Sequence, residues 1–227
     1  MEPDLPALSR SLFLTGTDTN VGKTHVAERL VRSLRARGID AVGMKPLCCG
    51  DRDDAERLHA ASGGVAPLNT INPVWLRTPA APYTASLIEN RLLDLALVFE
   101  SYNALRARHA VVVVEGAGGW MVPITADYFL SDLAAAMDLP VAVVVANKLG
   151  ALNHTLLTVQ AIEARALPCA GVILNHTTPD SGDPATTTNR AVLESLLRVP
   201  ILWEVPYEPG TPGDRGVTVR QAGAGEG

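Results

Sequence analysis

Cysteine is scarce in this chain. Cys48, Cys49 and Cys169 are the only three among 227 residues, and two of them are adjacent. An odd number with two neighbours makes a poor disulfide framework, and no pair has zinc-ligand spacing. Reduced thiols in a cytoplasmic protein are the expectation. Basic charge is also short: 19 Lys and Arg face 24 Asp and Glu, a formal net charge of -5. Such a balance excludes the basic face of a general nucleic-acid binder and requires local positive groups for any anionic ligand. Long apolar runs are missing as well. The longest, such as Val141 to Ala146, are about six residues, against the ~18 that would suggest a membrane span. Met1-Glu2-Pro3-Asp4 is acidic where a signal peptide starts basic. A cytoplasmic protein is expected, with neither membrane nor nucleic acid as a partner.

What is present is apolar material in short pieces. Hydrophobic residues make up 47% and charged residues 19%, enough for one folded α/β domain over residues 1–227, with 216–227 as a flexible tail. Apolar runs at 12–14, 41–44, 110–114, 141–146, 172–174 and 201–203 read as strands. Several are Val- or Ile-rich without polar alternation, the pattern of strands covered on both faces in a parallel sheet. Between them, 24–37, 92–108, 128–138, 152–166 and 185–198 read as helices. In the first of these Val26, Leu30, Val31 and Leu34 share a face, and Gly38 is a plausible stop. Repeated β-α-β alternation predicts a doubly wound, mainly parallel sheet with helices on both faces and ligands at the carboxyl ends of the strands. The Pro-containing stretch 64–83 reads as a long excursion with one short strand near Val74-Trp75.

The strongest motif is Gly16-Thr17-Asp18-Thr19-Asn20-Val21-Gly22-Lys23-Thr24, placed between a strand and a helix as a phosphate loop must be. Glycines let the backbone approach phosphate oxygens, the helix N-terminus offers unpaired N–H groups, Lys23 adds a charge and the Thr24 hydroxyl can ligate Mg2+. Five residues rather than the usual four separate Gly16 from Gly22. Ala146-Asn147-Lys148-Leu149-Gly150 has no acid where a guanine-recognition loop needs one, which favours ATP over GTP. Glu115 follows the apolar run Val111 to Val114, where a buried carboxylate calls for a cation, and Gly116-Ala117-Gly118-Gly119 lets a ligand lie against the backbone. Asp53-Asp54 read equally as first-turn acids of a helix. Lys45, beyond the second strand, reads as a site residue or as one half of a surface ion pair.

Together with Lys45-Pro46, Val114-Glu115-Gly116-Ala117-Gly118-Gly119-Trp120, Lys148-Leu149-Gly150 and Asn153-His154, the loop resembles the dethiobiotin synthases over about residues 12–208. That resemblance implies a P-loop ligase in biotin biosynthesis, using 7,8-diaminopelargonic acid, CO2 and ATP with Mg2+. One amine takes up CO2 as a carbamate, ATP phosphorylates it, and the second amine closes a cyclic urea. It implies that Lys23 and the backbone from Asn20 through Val21, Gly22 and Thr24 to His25 hold the phosphates. Thr24, Asp54 and Glu115 would surround Mg2+, and Lys45 and Lys23 would be catalytic. Glu115, Gly116, Ala117 and Gly118 would line the reaction centre, with Asn175, His176, Pro206, Tyr207 and Glu208 around the adenine. Thr19, Lys45, Cys49 and Gly118 would contact the diamine, and Gly150, Ala151 and Asn153 would meet its carboxylate from the second subunit of a homodimer. The family often has Ser where Cys49 stands, and the stretch 185–189 lacks the tyrosine that some members place near that carboxylate. The rivals are a regulatory partitioning or positioning ATPase and another carboxylate- or amide-activating ligase. The former carries an extra lysine early in the loop, where this chain has Thr17 and Asp18.

Overall fold

The computed structural model describes residues 5–179 and 182–209; the tail expected at 216–227 lies outside the described residues. The chain opens with α1 (Leu5–Leu8), β1 (Leu12–Gly16), α2 (Lys23–Ala36) and β2 (Ala41–Met44). An excursion follows: β3 (Leu47–Cys49), α3 (Asp53–Ala61), α4 (Leu68–Ile71), β4 (Val74–Leu76) and α5 (Pro82–Ile88). Regular alternation then resumes with α6 (Leu95–Arg106), β5 (Val111–Gly119), α7 (Leu130–Ala136), β6 (Val141–Ala146) and α8 (Ala151–Glu163). The last elements are β7 (Cys169–Asn175), α9 (Pro184–Leu196) and β8 (Ile201–Val205).

Six strands form one sheet in the order β2-β5-β1-β6-β7-β8, and every pairing is parallel. Valines 111–114 and all of β6 are buried, as expected of strands covered on both faces. α2 buries Val26, Ala27, Leu30, Val31 and Leu34 and turns its arginines outward. The chain moves from β1 out to β2, returns to β5, and then crosses to β6 on the other side of β1. That reversal places a crevice at the carboxyl ends around β1.

The excursion is more ordered than its sequence suggests. β3 and β4 make a small parallel sheet of their own. It is fastened by Asn72, wholly buried, whose Nδ2 donates to the carbonyls of Lys45 and Val74 at 2.8 and 3.0 Å. Arg52 Nε donates in turn to Asn72 Oδ1 at 2.8 Å. Two boundaries also differ. β5 does not stop before Glu115 but runs on through the glycines, where Gly119 pairs with Gly16 across a register shift. The helix expected at 92–108 begins at Leu95, because the Asp94 carboxylate caps it by accepting from Leu97 N at 3.1 Å.

Candidate active site

The turn between β1 and α2 is shaped by close approaches. Gly22 has φ +86°, and a Cβ there would stand 2.1 Å from the Asn175 amide nitrogen. Only glycine allows both the backbone angle and the contact. Asn175, at the end of β7, uses that nitrogen to donate to Val21 O at 2.9 Å, so β7 holds the loop in place. Its Oδ1 is buried without a hydrogen-bond partner. Lys23 Nζ curls back to donate to Asp18 O at 2.9 Å. Burial, with repulsion from Lys45, pushes the Lys23 ammonium down to about 8.

Three elements bring a second cluster together beside the loop. Lys45, just past β2, is only 4% exposed, so it is no surface ion pair. Its Nζ donates to Glu115 Oε1 at 2.6 Å, to Asp54 Oδ2 at 2.8 Å and to Gly116 O at 3.3 Å. Burial works against its charge, but the two carboxylates outweigh that and raise its pKa. Thr24 Oγ1 donates to Glu115 Oε1 at 2.7 Å. The other Glu115 oxygen, Oε2, is buried and unpartnered. Of the paired aspartates, Asp54 faces the cluster, whereas Asp53 is exposed.

Two clefts meet at this cluster. One is lined by Thr19, Asn20, Gly22, Lys23, Thr24 and His25 from the loop and α2, by Lys45, Asp54, Glu115 and Gly118, and by Asn175 and His176. The other is lined by Leu47, Cys48, Cys49, Pro79, Ala80, Ala81, Pro82, Ala117 and Val122, with Asp51. Thr19, Lys45, Asp54 and Gly118 belong to both. The first cleft is polar and cationic at the loop, suited to phosphates; the second has apolar walls. Cys49 stands on the second wall, and burial, with Glu89 nearby, raises its thiol to about 11. It is a neutral, weak donor there.

The sequence-predicted residues do not all line these clefts. Val21 is buried and meets Asn175 through its carbonyl. Gly116 is packed so that a Cβ would lie 2.7 Å from Leu130 Cδ2, and its part is to accept from Lys45. Pro206, Tyr207 and Glu208 follow β8 and line neither cleft; Glu208 pairs with Arg29, and His176 Nε2 is 2.9 Å from Glu204 Oε1. Gly150, Ala151 and Asn153 sit at the start of α8, and line neither cleft either. Sequence reasoning missed Arg57, Thr177 and the wall 79–82. Pro79 and Pro82 were a signal for a rigid turn; Arg57 shares a helix face with Asp54, but nothing in the sequence sets it apart from the other arginines.

A family model described as an AAA domain matches residues 10–214. An ATP-dependent dethiobiotin synthetase of Anaeromyxobacter dehalogenans is 53% identical over 204 residues, covering 88% of this chain and 91% of that protein. The enzyme of the same name from Akkermansia muciniphila is 47% identical over 196 residues, covering 86% and 92%. Among solved structures, the septum site-determining protein MinD with Mg-ADP from Pyrococcus horikoshii superposes with a TM-score of 0.54 at 16% identity, covering 88% of this chain and 82% of that one. At that identity the likeness shows the P-loop α/β fold alone. With a family model covering residues 10–214 and relatives matching nearly end to end at about half identity, the chain belongs to the ATP-dependent dethiobiotin synthetase family.

Proposed function

We propose that this chain is an ATP-dependent ligase that makes dethiobiotin from 7,8-diaminopelargonic acid and CO2 in the cytoplasm, as a step of biotin biosynthesis. The observation that carries the proposal is the position of Lys45. Its ammonium stands on the wall shared by the phosphate cleft and the apolar cleft, anchored by Glu115 and Asp54. A group transferred from one cleft to the other passes a fixed positive charge there.

The chemistry needs no protein nucleophile. One substrate amine adds to CO2 and gives up a proton, leaving a carbamate. A carbamate oxygen attacks the γ-phosphorus of ATP and ADP leaves. The second amine then attacks the carbamoyl carbon, its proton is lost, phosphate departs and the ring is closed. Each stage develops negative charge on oxygen, and fixed cations that need no reorganisation stabilise such charge. Lys45 serves the carbamate and the transferring phosphoryl group, and Lys23 serves the β- and γ-phosphates. The apolar wall from Leu47 to Val122 suits the methylene chain of the diamine.

Mg2+ fits the oxygen set of Thr24, Asp54 and Glu115. The unpartnered Glu115 Oε2 is an acceptor in want of a cation. Thr24, Asp54 and Glu115 supply only part of an octahedral Mg2+ shell, so phosphate oxygens and waters would supply the rest. When bound, the ion would supply charge neutralisation on the triphosphate. Asn175 suits adenine: Val21 O occupies its amide nitrogen, so its oxygen is left to accept from an amino group. Gly150, Ala151 and Asn153, which line neither cleft, suit a contribution to the neighbouring subunit of a homodimer.

The direct test measures ADP and dethiobiotin together. ADP release should require diamine and CO2 at once and match dethiobiotin mole for mole. Brisk ATP turnover that ignores the diamine would instead support a regulatory ATPase.

A further inference from the structure

We infer that Arg57 is a second fixed cation for the phosphate chain of the nucleotide, and that Glu28 holds it in position; the inference rests on the ATP-dependent reading of the cleft. Arg57 lies on α3, three residues after Asp54, and lines the phosphate cleft together with Lys23, Thr24, His25 and Asp54. Its side chain is 21% exposed. It is thus partly withdrawn from water, where its charge acts more strongly than on an open surface.

Its orientation is fixed. Arg57 Nε and Nη2 both donate to Glu28 Oε2, at 2.9 and 2.7 Å. Glu28 stands on α2, four residues after Thr24, so the helix that carries the phosphate-binding threonine also carries the arginine's anchor. Arg32 occupies the other Glu28 oxygen from the same helix, at 3.1 and 2.9 Å. Glu28 is therefore braced by one arginine while it aims another. The third guanidinium nitrogen, Nη1, makes none of these bonds. It is the donor left for an anion in the cleft.

Charge in the cleft leaves room for this cation. Lys45 is shared with Glu115 and Asp54, and Lys23 curls back onto the loop at Asp18 O. Arg57 feels both Asp54 and His25: it helps lower the Asp54 carboxyl and contributes to lowering His25. It shares the wall of the cleft with Asp54 and with His25 at the start of α2. A planar guanidinium with a free edge suits phosphate oxygens better than a lysine would.

The test compares R57Q, R57K and E28Q with wild type by calorimetric MgATP and MgADP affinity and by steady-state kinetics. For R57Q the expected result is MgATP and MgADP binding about tenfold or more weaker. The KM for ATP should rise alongside, while the KM for the diamine changes less than about twofold. R57K should recover part of the loss. E28Q, which keeps the cation but loosens its anchor, should fall between wild type and R57Q. If the Arg57–Glu28 bridge merely ties α2 to α3, E28Q and R57Q will lose affinity equally, R57K will not help, and the inference is overturned. Wild-type affinity in folded R57Q overturns it too; should R57Q not fold, the ranking of R57K and E28Q decides. Wild-type protein that takes up no MgATP sinks the ATP-dependent reading itself, and this inference with it.

Discussion

At the scale of single residues, the site is a balance of buried charge. Lys45 and Glu115 are almost closed to water, Glu115 at 1% exposed, and Asp54 meets the lysine from the open side of the cleft. Removing one partner of such a cluster leaves the others uncompensated, a loss of about 3–5 kcal/mol in comparable buried pairs. Lys45→Met should therefore lower the melting temperature and reduce turnover by at least about a hundredfold. Added Mg2+ should then raise the melting temperature of the variant more than that of wild type, since a cation can replace the missing ammonium between Asp54 and Glu115. Thermal melts with and without Mg2+ check this; an equal Mg2+ response in both proteins removes the two acids from the metal site. Residue positions of this kind were partly legible in the sequence. Lys23, Thr24 and Glu115 could be picked out because each sits at a fixed place relative to a strand or helix end. Arg57 could not, because its role depends on α3 lying beside α2, and no periodicity in either segment records that contact.

At the scale of elements, the sheet strands were legible because buried parallel strands need unbroken apolar runs, as in Val111 to Val114. The excursion between β2 and α6 was legible only in part. The short strand expected near Val74-Trp75 is there as β4, but its partner β3 carries no pattern, since both strands are three residues long and polar contacts hold them. Asn72 is the centre of those contacts: it takes the Lys45 carbonyl on one side and Arg52 on the other. Asn72→Ala strands two buried carbonyls, those of Lys45 and Val74, at a cost of about 1–3 kcal/mol each before any relaxation. The expected outcome is a protein less stable by about 2–4 kcal/mol, with kcat reduced more than ATP affinity because the backbone under Lys45 has lost its anchor. Denaturant melts and nucleotide titration separate the two effects. A destabilised variant with unaltered kcat would show that Lys45 is positioned by its carboxylates alone.

At the scale of the whole molecule, the strand order brings the loop after β1 and the carboxyl ends of β2, β5 and β7 to one edge of the sheet, so residues from 19 to 177 share one cleft. The start of α8 is the exception, since it faces neither cleft although the family resemblance gives it the substrate carboxylate. In the homodimer proposed above, a two-fold interface would carry Gly150 to Asn153 of one copy into the site of the other. Gly150 has φ +89°, so Gly150→Val should distort that turn without touching Lys45. Each of Lys45→Met and Gly150→Val is expected to be nearly inactive alone. Mixed after subunit exchange, they form heterodimers in which one of the two sites combines an intact Lys45 with an intact turn, restoring about a quarter of wild-type turnover at random assortment. An assay of dethiobiotin formation in the mixture measures this directly. No gain over the separate variants means that Lys45 and the turn before α8 of the same chain complete each site.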